Sequence, residues 1–235
     1  MAHPARLPLV LLPAEGCDAD LYRPQIAALA DLVEPIPLVV AEPNLGRAAV
    51  AAAGHMPARF LLAGCSHGGY LALDLAAALP DRVAGLWLMG CDPGPDIDPR
   101  TARSLANRVI EGKKAGVIEE LARSIAEPAG PRGAEAADAF RTMAQRMETD
   151  AFAWQIDALA SRTSRLQDLP QLSHPTLLLW GANDRVVAPA NGELMQRLMP
   201  HAELVLLPLC GHLPTLEYPV ESTAAARRWI ARALA

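Results

Sequence analysis

The chain has 235 residues, 51% of them apolar and 20% charged, with a formal net charge of -5 at pH 7. That length suits one well-cored α/β domain with a small insertion. The acidic balance, with no basic cluster larger than Arg227-Arg228 or Lys113-Lys114, argues against nucleic-acid binding, and no apolar run approaches the roughly 18 residues of a membrane span.

The first element predicted along the chain is a strand over residues 7–12. Arg6 ahead of it faintly imitates a secretion signal. The stretch is short, Pro8 interrupts it, and Glu15 just before Cys17 does not suit lipoprotein cleavage, so it reads as a buried strand of a cytoplasmic protein. Similar runs recur at 37–41, 60–63, 84–89, 176–180 and 204–207. Short apolar runs bounded by Gly, Pro or polar residues suit strands buried on both faces of a parallel sheet. Helix patterns fall between them, at 24–32, 45–53, 69–79, 190–199 and 220–234. This alternation predicts a doubly wound, mostly parallel α/β sheet.

Residues 93–172 break the alternation. They carry helical stretches at 101–112, 117–125 and 134–161 and no convincing strand, which predicts an all-helical insertion. In the third stretch Phe140, Met143, Met147, Ala151 and Trp154 recur at three- and four-residue spacing and form one apolar face. Most of that face is expected to pack against the main domain, with Trp154 the candidate for lining a pocket beneath the insertion.

The chemistry centres on Gly64-Cys65-Ser66-His67-Gly68, which follows a predicted strand and precedes a predicted helix. A G-x-S-x-G turn in that setting is a nucleophile elbow, with the serine exposed on a tight corner where a base can take its proton. His3, His55, His174 and His201 are expected at the surface. His67 sits on the elbow with its side chain expected to point away from the serine. His212, in Leu209-Cys210-Gly211-His212-Leu213, follows the last strand and is the candidate base. Its orienting acid should lie between Ser66 and His212 in the chain. Asp184, in Gly181-Ala182-Asn183-Asp184, is the first choice and Asp92 the alternative. The candidate oxyanion donors are the backbone N–H of His67 and, by position in the loop after the first strand, that of Glu15. Cys17, Cys65, Cys91 and Cys210 have no metal-type spacing and read as reduced, buried, small residues.

With Gly64-Cys65-Ser66-His67-Gly68-Gly69, Gly181-Ala182-Asn183-Asp184 and Gly211-His212-Leu213 followed by Glu217 and Pro219, the chain resembles the α/β-hydrolase superfamily over essentially its whole length. The stretch from Cys17 to Ile26 is similar to small bacterial carboxylesterase-like members. The resemblance implies an α/β-hydrolase fold of about six parallel strands, a Ser66–Asp184–His212 triad and a helical lid. Residues 1–92 and 173–235 would then form the core and 93–172 the lid. It does not imply one substrate; the leading reading is a serine hydrolase cleaving a carboxylic ester of small to medium acyl size. Lactone or carbon–carbon bond cleavage is a variant on the same parts. The expected partner is a small ester-like molecule, with no membrane or nucleic acid and no metal or organic cofactor. The sequence departs from the family at Pro13-Ala14, where His-Gly is common, and at Glu15, where an apolar residue is frequent. A carboxylate there opposes a developing oxyanion, so Glu15 is expected to point away, be neutral, or serve a substrate group. It also motivates the other reading, a ligand-binding or lyase member with little hydrolysis.

Overall fold

The computed structural model describes residues 6–96 and 98–235; His3 lies outside them. Six strands form one parallel sheet: β1 (Pro8–Leu12), β2 (Glu34–Pro37), β3 (Phe60–Cys65), β4 (Val83–Met89), β5 (Thr176–Gly181) and β6 (Glu203–Leu207). Their spatial order is β2-β1-β3-β4-β5-β6. Successive residues of a strand face opposite sides. Accordingly Leu9 and Leu11 join one apolar layer with Trp87, Leu177 and Leu179, while Val10 and Leu12 join the other with Leu86, Leu88 and Leu178. Two-sided burial is why the central strands read as unbroken apolar runs.

The first layer is closed by α1 (Arg23–Leu29) and α9 (Pro219–Leu234), the second by α2 (Leu45–Ala53), α3 (His67–Ala78) and α8 (Ala190–Leu198). Trp87 anchors the first layer. Its ring lies 6.2 Å from both Tyr22 and Trp229, centroid to centroid. All three are fully buried, so truncating Trp229 to alanine costs about 3–5 kcal/mol.

The second strand differs from expectation. It spans Glu34–Pro37 rather than 37–41, and it is half-exposed. Its register sets Glu34 to Pro37 beside Pro8 to Leu11, and β1 ends one residue later, so residues 39–41 have no partner to pair with. Glu34 donates its N–H to the Leu7 carbonyl just before β1 and Leu38 donates to the Leu11 carbonyl in it, which turns Pro35 and Pro37, lacking N–H groups, toward the free edge. The other edge strand, β6, is likewise only partly covered.

Between β4 and β5 lie α4 (Pro99–Arg108), α5 (Lys114–Ile125), α6 (Gly133–Arg146) and α7 (Thr149–Leu159). The single helix expected over 134–161 is two, broken at Met147 and Glu148, whose ψ values are near 143° and 142°. The Lys114 ammonium donates to the Met147 and Gln145 carbonyls freed at this break. These helices are tied to the loops beyond the carboxyl ends of the strands. Gln155 accepts from the Gly16 N–H at 3.0 Å and donates to the Val40 carbonyl at 2.9 Å, and Arg146 clasps Asp18 and Asp20.

Candidate active site

The strand order reverses between β1 and β3, since the chain leaves β1 outward to β2 and returns on its other side. The loops leaving β1 and β3 therefore diverge and open a crevice, the usual ligand position in such sheets. Ser66 stands there, between the end of β3 and the start of α3, at φ 51° and ψ -117°. This is strained for a residue with a Cβ. Three backbone bonds hold it: Ser66 N–H to Met89 O at 2.9 Å, Gly69 N–H to Ser66 O at 2.8 Å and Tyr70 N–H to Ser66 O at 3.0 Å. Gly68 presses on β1 so closely that a Cβ would lie 2.1 Å from the Leu12 oxygen. Only hydrogen fits there.

His212 follows β6 and is wholly buried. Its N–H donates to the Ile125 carbonyl at 2.8 Å, and its own carbonyl lies 3.7 Å from Cys65 Sγ, beside the elbow. The ring Nδ1 lies 2.8 Å from Asp184 Oδ2. The other oxygen, Oδ1, accepts the N–H groups of Val186 and Val187, both at 2.9 Å. A carboxylate beside Nδ1 fixes the proton on that nitrogen and leaves the Nε2 lone pair free. Among the described residues Nε2 has no hydrogen-bond partner, Ser66 Oγ included. Burial opposes protonation of His212, but the charge and hydrogen bond of Asp184, helped by Glu15 and Glu217, hold its pKa above the ordinary value. Asp92, the alternative acid, instead accepts the Gly94 N–H at 2.7 Å. His212 pairs with Asp184.

Glu15 does not point away. It is buried, and its Oε2 accepts the His67 N–H at 3.4 Å, so a carboxylate occupies one of the two expected oxyanion donors. The other donor, the N–H of Glu15, has no hydrogen-bond acceptor among the described residues. Burial depresses the pKa of the His67 imidazole to about 4, against a smaller opposing effect of Glu15. His174 is buried rather than at the surface, with Nε2 3.0 Å from the Pro80 carbonyl, while His55 and His201 are exposed.

A cavity of about 360 Å³ opens over Ser66 and is lined among others by Glu15, Tyr70, Leu105, Ile156 and Arg162. Trp154 is not part of it. The helix break resets the phase of α7, so Gln155 and Ile156 turn inward while Trp154 is 44% exposed. Arg162 went unnoticed in the sequence. It stacks 4.2 Å above the Tyr70 ring, reaches Asp96 only at 3.8 Å, and keeps a buried Nε without a partner. Nothing local marked it, since it follows the end of α7 among polar residues.

Glu217 is a further buried carboxylate, whose role the sequence left unassigned. It accepts the N–H groups of Gly211 at 2.8 Å, Leu213 at 3.1 Å and Glu127 at 2.9 Å, gripping the loop on both sides of His212. Burial raises its pKa despite those donors. The usable signal was an acid framed by Leu216 and Tyr218. Arg185, beside Asp184, donates to the Ala126 carbonyl at 3.0 Å just past α5. The four cysteines are free and buried, and burial pushes each thiol up. Among the described residues no cluster of three His, Cys, Asp or Glu is arranged to hold a metal ion.

A family model described as "Alpha/beta hydrolase family" matches residues 5–226. The pimeloyl-[acyl-carrier protein] methyl ester esterase of Xanthomonas oryzae pv. oryzae is 30% identical over 234 residues, 96% of this chain and 85% of that one. A thermophilic esterase from Thermogutta terrifontis, solved with malate bound, superposes with a TM-score of 0.88 at 26% identity over 97% of this chain and 91% of that one. The enol-lactonase of Burkholderia xenovorans shares the fold, with a TM-score of 0.86 at 19% identity over 98% and 94%.

Proposed function

We propose, from the premise that this chain belongs to the alpha/beta hydrolase family, that it hydrolyses carboxylic esters of small to medium acyl groups through a covalent acyl-enzyme. The observation that carries this is the buried His212–Asp184 pair at 2.8 Å, its free Nε2 on the same sheet edge as the strained Ser66. Similarity to esterases over nearly the whole chain supports it.

In this reading Ser66 Oγ attacks the ester carbonyl while His212 Nε2 takes its proton. Asp184 keeps the imidazole in the right tautomer and stabilises the imidazolium. The tetrahedral oxyanion accepts the N–H groups of Glu15 and His67. Collapse releases the alcohol, which takes its proton from His212. A water molecule then repeats the sequence on the acyl-enzyme and frees the acid. No step calls for a metal or organic cofactor. Residues 93–172 serve as the lid and the remainder as the core, an assignment supported by the cavity between Ser66 and residues of α4 and α7.

One observation favours a second reading, the ligand-binding or lyase member: the Glu15 carboxylate on the His67 N–H. A fluorophosphonate probe and a panel of p-nitrophenyl esters of rising acyl length separate the two. Covalent labelling at Ser66, with ester turnover cut about 10⁴-fold or more in Ser66→Ala, is expected. An unlabelled folded protein that a ligand stabilises without turnover would support the second reading.

A further inference from the structure

Glu15 is a buried carboxylate without a matching cation. Its single side-chain hydrogen bond among the described residues, to the His67 N–H at 3.4 Å, is near the outer limit of a useful one. Among the described residues no cation forms an ion pair with it within 4.0 Å. Arg162 lies against Tyr70 and Asp96, Arg146 clasps Asp18 and Asp20, and the His212 ring faces Asp184. The cavity that contains Ser66 also contains Glu15, Asp96 and Asp98, three carboxylates against the single guanidinium of Arg162. Burying an unpaired carboxylate is costly unless something that enters the site completes it.

Resting on the esterase reading, we propose that Glu15 determines specificity by receiving a cationic group attached next to the scissile carbonyl, so that the preferred substrates are esters of small acids bearing an ammonium group. A cation there does two things. It cancels the charge that otherwise opposes the oxyanion, and it draws the carboxylate off the His67 N–H, returning that donor to the carbonyl oxygen. A neutral ester does neither, and must develop negative charge beside a carboxylate that already holds one donor.

A matched pair of p-nitrophenyl esters tests this: the trimethylammonioacetate and the 3,3-dimethylbutanoate, which differ by a quaternary nitrogen in place of a carbon and whose charges do not change with pH. In Glu15→Gln, kcat/KM is expected to rise for the neutral ester and fall for the charged one. The ratio between them shifts by about tenfold or more, the scale of a close charge pair at intermediate dielectric. Glu15→Asp keeps the preference of the original protein. On the unsubstituted protein, tetramethylammonium is expected to slow fluorophosphonate labelling of Ser66 more than neopentyl alcohol does. A ratio that Glu15→Gln leaves unchanged, or equal protection by the two small molecules, overturns the role of Glu15 while Ser66 labelling leaves the hydrolase reading standing. A folded protein that neither labels nor turns over either ester overturns both.

Discussion

His212 Nδ1 donates to Asp184 Oδ2 across 2.8 Å with the two side chains 0% and 1% exposed, so this proton is held out of contact with water. The pairing raises the pKa of His212 even though burial works against it. A base must be neutral to accept a proton. With its pKa raised, His212 becomes neutral only above the ordinary histidine value of about 6.5. The acid limb of kcat/KM, measured with an ester that does not titrate, is therefore expected to have its midpoint above about pH 6.5. In Asp184→Asn the midpoint moves down and kcat falls about 10³–10⁴-fold. A midpoint that stays put in the variant would remove Asp184 from this role.

Glu217 acts on the histidine through the backbone. Replacing it with alanine strands the N–H groups of Gly211, Leu213 and Glu127. The expected cost is about 3–5 kcal/mol, read from urea unfolding. Glu217→Gln keeps one acceptor oxygen and should fall between. Because the loop that carries His212 loosens, kcat should drop more than KM rises.

Two glycine replacements should move stability in opposite directions. At Gly68 a Cβ meets the Leu12 oxygen at 2.1 Å and the Pro13 oxygen at 2.7 Å, and backbone on both sides cannot yield cheaply. Gly68→Ala is expected to lose more than about 3 kcal/mol. Gly116 sits inside α5 with nothing within 4 Å of a Cβ. Gly116→Ala should gain about 0.5–1 kcal/mol, seen as a higher Tm.

The lid assignment predicts a contrast between two large apolar side chains. Trp154→Ala removes a ring that is 44% exposed and outside the cavity, and should leave turnover within about twofold. Leu105→Trp fills space over Ser66 and should lower kcat/KM for hexanoate relative to acetate esters by about tenfold. Equal loss for both esters would count against a size-limiting cavity.

The legible parts of the sequence share a cause. β1, β3, β4 and β5 are buried on both sides, so each reads as an apolar run, and Ser66, Asp184 and His212 are located by position just past strand ends. β2 escaped because it is a short, half-exposed edge strand with proline at two of its four positions, and the apolar residues nearby, Leu38 to Val40, lie past the end of its partner. The break in the third insertion helix is met by a tertiary contact, the Lys114 ammonium on the Met147 carbonyl, that no local pattern encodes. The misplacement of Trp154 follows from that break. Glu217 and Arg162 act through groups distant in the chain, which spacing does not reveal.

The two prolines of β2 have a bearing on how the molecule behaves in a crowd. Every N–H of that strand engaged with β1 is spoken for, and the outward positions held by Pro35 and Pro37 have none to give. An incoming extended segment finds carbonyl acceptors but no N–H donors at these two positions, so stacking of further chains onto the sheet from that side, the first event of many fibrils, is disfavoured by covalent structure.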